Sequence, residues 1–208
     1  MTAVVLVHGL WMPGSELSLL RRRLARAGFQ PLQFHYHSVS EDLDAGADGL
    51  AAFVEDISGE PVHFVGHSLG GLIMVKLLER YGSERVGRLV GLASPFCGSA
   101  AGVKLARLPG GARVLGKAMA QVLEEAPGRR WDGRRELGIV AGSVPLGMGR
   151  LLGSLALPHD GTVAVEETQL PGATDHIVLP VTHFSMLWSR AVADQVVAFL
   201  RRGRFERR

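Results

Sequence analysis

The 208-residue chain has a single cysteine, Cys97, so no intramolecular disulfide can form. That excludes the stapled secreted scaffolds and leaves stability to a hydrophobic core. No run reaches the roughly 18 apolar residues of a membrane helix. The N-terminus has no basic n-region, and its apolar run from Ala3 to Val7 is too short for a signal peptide. These absences lead us to expect a cytoplasmic protein without stable membrane insertion. A basic stripe interleaved with aromatics, the footprint of a nucleic-acid binder, is missing too. The arginine runs at 21–23, 129–130, 134–135 and 201–208 are scattered, with acids nearby. They read as solvated helix faces and a frayed tail. There is no H-E-x-x-H, and His159 beside Asp160 has no metal-pair spacing, so neither metal nor cofactor is expected. Nothing in the sequence bears on oligomeric state.

What is present is 47% hydrophobic residues, enough for one compact domain over residues 1–208. Ala3 to Val7 reads as a strand buried on both faces. A loop follows from His8 to Ser15, then a helix over 16–26 closed by Gly28, and a strand over 29–36. Residues 42–57 have helical spacing, 58–61 form a turn, and Val62 to Val65 is a short strand. A helix over 69–81 and a strand over 86–92 come next. Strand and helix alternate, which implies a parallel sheet with helices on both sides. Later expectations are a helix over 112–125, strands over 137–141, 163–166 and 178–181, and a closing helix over 188–200. The glycine-rich stretch 97–130 is a candidate small lid-like insertion.

Gly66-His67-Ser68-Leu69-Gly70-Gly71 carries the strongest chemical signal. It matches the G-x-S-x-G nucleophile elbow, with a strand before it and a helix after it, as that turn requires. The two flanking glycines remove side chains that would collide as strand and helix close together. Ser68 is thereby pushed out at a helix N-terminus, whose partial positive charge favours a developing oxyanion.

A serine nucleophile needs a base that titrates near neutral pH, which selects among the eight histidines. His183 follows the last apolar run and precedes the final helix; His176, before that run, is second. His67 points off the elbow, and His35, His37 and His63 lie in or beside early strands. In chain order an acid should stand between serine and histidine. Asp160 meets that order, with Asp175, Glu166 and Glu167 as alternatives. Two N–H groups should face the oxyanion. Leu69 supplies one, and the loop after the first strand supplies the other, from Leu10 or else Trp11. Trp11, Met12 and Phe96 are candidates for a substrate pocket, while Phe184, Leu187 and Trp188 read as packing for the last helix.

Four segments, Val5 to Leu10, Gly66 to Gly71, His159 to Val163, and the late His183, together resemble small α/β-hydrolases of the bacterial triacylglycerol-lipase and esterase type. Ser94 to Ser99 also resembles the segment those lipases carry after the strand that follows the elbow helix. The resemblance runs through most of the chain in order. It implies a minimal α/β-hydrolase fold, a parallel sheet of about six strands lacking the first two of the full fold. It further implies Ser68, Asp160 and His183 as a triad and Leu10 and Leu69 as oxyanion amides. The implied activity is hydrolysis of a small-molecule carboxylic ester through an acyl-enzyme. Without an export signal, a small intracellular ester or thioester is expected rather than bulk triglyceride. The alternatives are a thioesterase or acyltransferase using the same triad, and a non-catalytic binding protein on this fold.

Overall fold

The first strand, β1 (Ala3–Val7), is buried along its whole length. Ala3, Val5 and Val7 enter one apolar core, and Val4 and Leu6 enter a second on the opposite face. A strand sealed on both faces has no polar side to show, which explains a continuous β-branched run in place of alternation.

The computed structural model describes residues 1–59, 61–82, 84–126, 128–147 and 155–207. The other strands are β2 (Gln30–Phe34), β3 (Val62–His67), β4 (Val86–Leu92), β5 (Leu137–Gly142) and β6 (Asp175–Leu179). The helices are α1 (Ser18–Arg26), α2 (Leu43–Glu55), α3 (Leu69–Tyr81), α4 (Ala100–Ala106), α5 (Gly111–Glu125), α6 (Val165–Thr168) and α7 (Arg190–Arg202). The strands form one parallel sheet in the order β2-β1-β3-β4-β5-β6. Leu50 of α2, Leu72 of α3 and Val122 of α5 belong to the first core; Leu20 and Leu24 of α1 and Val196 and Phe199 of α7 belong to the second. This is the expected architecture, a six-stranded parallel sheet between two helical layers. Among the described residues no helix is long and apolar enough to cross a membrane.

Strand order decides where a site can lie. β2 flanks β1 on one side and β3 flanks it on the other. The chain therefore leaves β1 and β3 in opposite directions, and such a switch point opens a crevice at the carboxyl ends of the strands. Gly9, after β1, and Ser68, after β3, meet there: a Cβ on Gly9 would fall 3.2 Å from the Ser68 Cβ.

Several elements differ from expectation. Residues 15–17 form a 3₁₀ turn ahead of α1, entered through Gly14 at φ 89°. The strand expected over 163–166 is instead the short α6, and only an isolated antiparallel bridge joins His159 to Ala164. Glu167 accepts from the Ala164 N–H, so local hydrogen bonding closes a turn and overrides the β preference of Val163 and Val165. The strand expected over 178–181 begins earlier, at Asp175, and stops at Leu179. Pro180 has no N–H to extend the ladder. Within 97–130 lie α4, capped by the Ser99 side chain on Gly102 N, and α5, broken at Gly116 (φ 76°). The break lets Gly116 press on the Val39 backbone, where a Cβ would come within 2.2 Å of the carbonyl oxygen. The closing helix runs over 190–202, with the Ser189 side chain on Val192 N at its start and Gly203 in the left-handed region at its end.

Phe199 shows how tightly α7 sits. It is fully buried, and a Cβ on Gly138 of β5 would stand 2.6 Å from its ring. Phe199→Ala should cost about 3–5 kcal/mol of unfolding free energy. Urea denaturation checks this; a loss under about 1 kcal/mol would mean that α7 is not seated as described.

Candidate active site

Ser68 is the one residue between β3 and α3, with φ 52° and ψ −119°. A non-glycine residue in that region carries strain of order 1–3 kcal/mol and persists only where its surroundings impose it. Its N–H donates to the Leu92 carbonyl at 2.8 Å, tying the bend to β4. A Cβ on Gly70 would lie 2.2 Å from the Val7 carbonyl oxygen, and one on Gly66 would lie 2.5 Å from the Gly71 nitrogen. Both positions exclude any side chain. The half-buried serine faces a cavity of about 90 Å³.

His183 lies on the same cavity wall. Its Nδ1 is 2.7 Å from Asp160 Oδ2, and its backbone N–H donates to the Asp160 carbonyl at 2.8 Å. Asp160 is 1% exposed. Its Oδ1 accepts from the Thr162 N–H (2.9 Å) and the Val163 N–H (2.7 Å), so backbone amides fix the carboxylate. An acceptor at Nδ1 places the ring proton there and leaves a lone pair at Nε2. Gly142, at the end of β5, makes the approach feasible: a Cβ there would stand 2.7 Å from the Asp160 Cβ and 2.6 Å from the Val181 carbonyl oxygen. Among the described residues Ser68 Oγ has no hydrogen bond; in empty sites this contact often tightens only with substrate.

The loop after β1 forms another wall, through Gly9 to Met12. Trp11 has φ 59°, its N–H donates to Ser38 Oγ at 3.1 Å, and its indole N–H donates to the Val114 carbonyl at 2.9 Å. The Trp11 amide is therefore engaged, which favours Leu10 for the loop donor. Leu69 N–H opens α3 and has no intrahelical acceptor. His8 orders the loop from behind. It bonds the Gly9 carbonyl through Nδ1 (2.9 Å), accepts from Tyr36 N–H (3.4 Å) and stacks on the Tyr36 ring at 4.4 Å.

Trp11 and Met12 line the cavity, but Phe96 does not. That expectation is corrected. Phe96 is fully buried, with its ring against the backbones of Gly71 and Gly91, and Pro95 reaches the cavity instead. The remaining apolar walls were not anticipated residue by residue: Ala101 and Leu105 of α4, and Leu115 and Met119 of α5. Phe184, expected as packing, is 42% exposed and stands at the cavity wall.

The alternative residues are engaged elsewhere. His176 sits within β6, its Nε2 2.9 Å from Thr168 Oγ1. Asp175 accepts from Phe205 N–H and Arg207. Glu167 accepts from Ala100 and Ala164 N–H groups, pinning α4 to α6, and Glu166 is exposed. Among the described residues no group of three or more His, Cys, Asp or Glu is placed to hold a metal.

Comparison with known proteins agrees with this geometry at the level of fold. The model of the alpha/beta hydrolase family matches residues 4–198, and the chain belongs to that family. Its architecture is similar to that of a Bacillus licheniformis lipase. The mature form superposes with a TM-score of 0.73 at 20% identity, covering 96% of this chain and 91% of that one. The propeptide form gives 0.76 at 20% identity, covering 89% of this chain, which spans only 47% of that one. A metagenomic carboxyl esterase gives 0.70 at 17% identity, covering 89% of this chain and 65% of that one. No curated protein matches in sequence.

Burial pulls His8, His67 and His176 below the ordinary imidazole range, and His63 to about 4. In the fold burial resists protonation of these rings, while the unfolded chain binds protons below about pH 6.5. Because the folded values are depressed, the stability they contribute is full above that pH and is lost as pH falls. The urea midpoint should drop between about pH 7.5 and pH 5. A midpoint that stays level over this range would contradict the burial of neutral imidazoles.

Proposed function

We propose that the protein is a serine hydrolase that cleaves small carboxylic esters through an acyl-enzyme. The observation that carries this reading is the bond of 2.7 Å from buried Asp160 to His183, which lines the same cavity as the strained Ser68. Ser68 Oγ attacks the ester carbonyl carbon while His183 Nε2 takes its proton. The carbonyl oxygen becomes an oxyanion opposite the Leu10 and Leu69 N–H groups. As the tetrahedral intermediate collapses, the C–O bond to the alcohol breaks, and the imidazolium gives its proton to the leaving oxygen. Water then attacks the acyl-serine with the same imidazole as base, releasing the acid and restoring Ser68. Asp160 holds the Nδ1–H tautomer and stabilises the imidazolium in both halves.

The apolar walls, Leu105, Leu115 and Met119 among them, suit an acyl chain.

A fluorophosphonate probe should label the wild type and not Ser68→Ala, and turnover of p-nitrophenyl butyrate should disappear with the same substitution. Labelling that survives Ser68→Ala would remove the nucleophile. His183→Ala should abolish turnover and His176→Ala should spare it; the opposite pattern would reassign the base. Asp160→Asn should lower kcat by about 10⁴-fold through loss of tautomer control. A loss below tenfold in steady-state kinetics would point to another acid.

A further inference from the structure

His67 is enclosed, at 1% exposure, and the hydrolytic scheme leaves it without a task. Its Nε2 lies 3.0 Å from the His183 carbonyl oxygen. A carbonyl only accepts, so Nε2 carries the proton and donates. Nδ1 is then a bare acceptor, buried and without a partner among the described residues. It faces the other loop of the site, for a Cβ on Gly9 would stand 3.1 Å from it. The His67 and His183 rings are 4.7 Å apart between centroids. One imidazole is thus wedged between the loop that bears Leu10 and the loop that bears His183, one residue before Ser68.

His183 has two bonds to Asp160, through its ring and through its backbone N–H. Both fix the pair internally; neither ties it to the elbow. The His67 bond crosses that gap. We propose that His67 is a positioning residue, a neutral imidazole that sets the distance from the elbow to the base loop by donating Nε2–H to the His183 carbonyl. The proposal rests on the serine-hydrolase reading. Burial, followed by the charge of a protonated His183, depresses His67 well below the usual range, and His8 is the other titratable group that acts on it. A neutral ring suits the place, because a cation there would repel the imidazolium that His183 becomes in the reaction.

Glutamine keeps an N–H near the imidazole Nε2 position, whereas phenylalanine keeps the ring and loses the donor. On p-nitrophenyl butyrate, His67→Phe should lower kcat by about 10- to 100-fold, with KM within about twofold, as a displaced base does. His67→Gln should recover most of that loss. The acid limb of the kcat/KM profile should follow one ionisation in the wild type and in both variants. Wild-type kcat in His67→Phe, equal loss in both variants, or a two-proton limb in the wild type would each overturn the proposal. Nitrogen-15 NMR of the wild-type imidazoles decides it even if the phenylalanine variant fails to fold. His67 should stay neutral and Nε2-protonated from about pH 6 to pH 8, and the other tautomer or a charged ring would overturn it. Fluorophosphonate labelling separates the two failures. A wild type that does not label overturns the hydrolase reading and this proposal with it. A wild type that labels beside an unimpaired His67→Phe overturns this proposal alone.

Discussion

A parallel strand can pass into a helix within one residue only if that residue turns the backbone left-handed. Ser68 makes this turn at φ 52°. The bend is held by three close approaches: Gly70 on the Val7 carbonyl, Gly66 on the Gly71 amide, and the Ser68 N–H on Leu92. Each contact reaches a different element, so β1, β3, β4 and α3 over-determine one dihedral. Strain of this kind survives only where packing on every side supports it. The same constraint presents the hydroxyl at the carboxyl edge of the sheet and leaves the first amides of α3 free to face it.

The Asp160–His183 pair, the proposed acid and base, is built from the other half of the sheet. β5 ends on Gly142, which admits the Asp160 loop and the chain after β6 to the same corner. Backbone amides hold Asp160 on one oxygen, and His183 takes the other. A carboxylate buried this deeply is tolerable because two backbone amides and the His183 ring donate to it. Buried histidines complete the frame: His8 beneath the loop after β1 and His67 between the two loops. In a site walled by apolar side chains each of these dipoles counts for more than it would in water.

The elbow was legible because its chemistry is local. Glycines at 66 and 70 around a serine, with a strand before and a helix after, leave few other ways to arrange the backbone. The alternation of strand and helix was legible for the same reason, since periodicity reports which faces are buried. The errors arise where local preference and packing disagree. Val163 and Val165 favour a strand, but the Glu167 carboxylate closes a turn on the Ala164 amide. Phe96 follows the sheet edge in sequence, yet its ring fills the space that Gly71 and Gly91 leave open. His67 reads as a neighbour of the serine facing the wrong way. Its partner is His183, 116 residues later, a contact no local pattern announces.

By itself the sequence determined the class of fold and the position of the sharp turn, because buried β-branched runs, helical spacing and paired glycines act over a few residues. It also confined the acid and the base to short candidate sets, by residue type and chain order. Only the tertiary structure shows which of them meet. Asp160 and His183 come together because β5 and β6 are neighbours in the sheet, and Leu115 and Met119 line the cavity from either side of the break in α5 at Gly116. Distances between residues far apart in the chain depend on strand order and packing, and neither is written in any local stretch of residues.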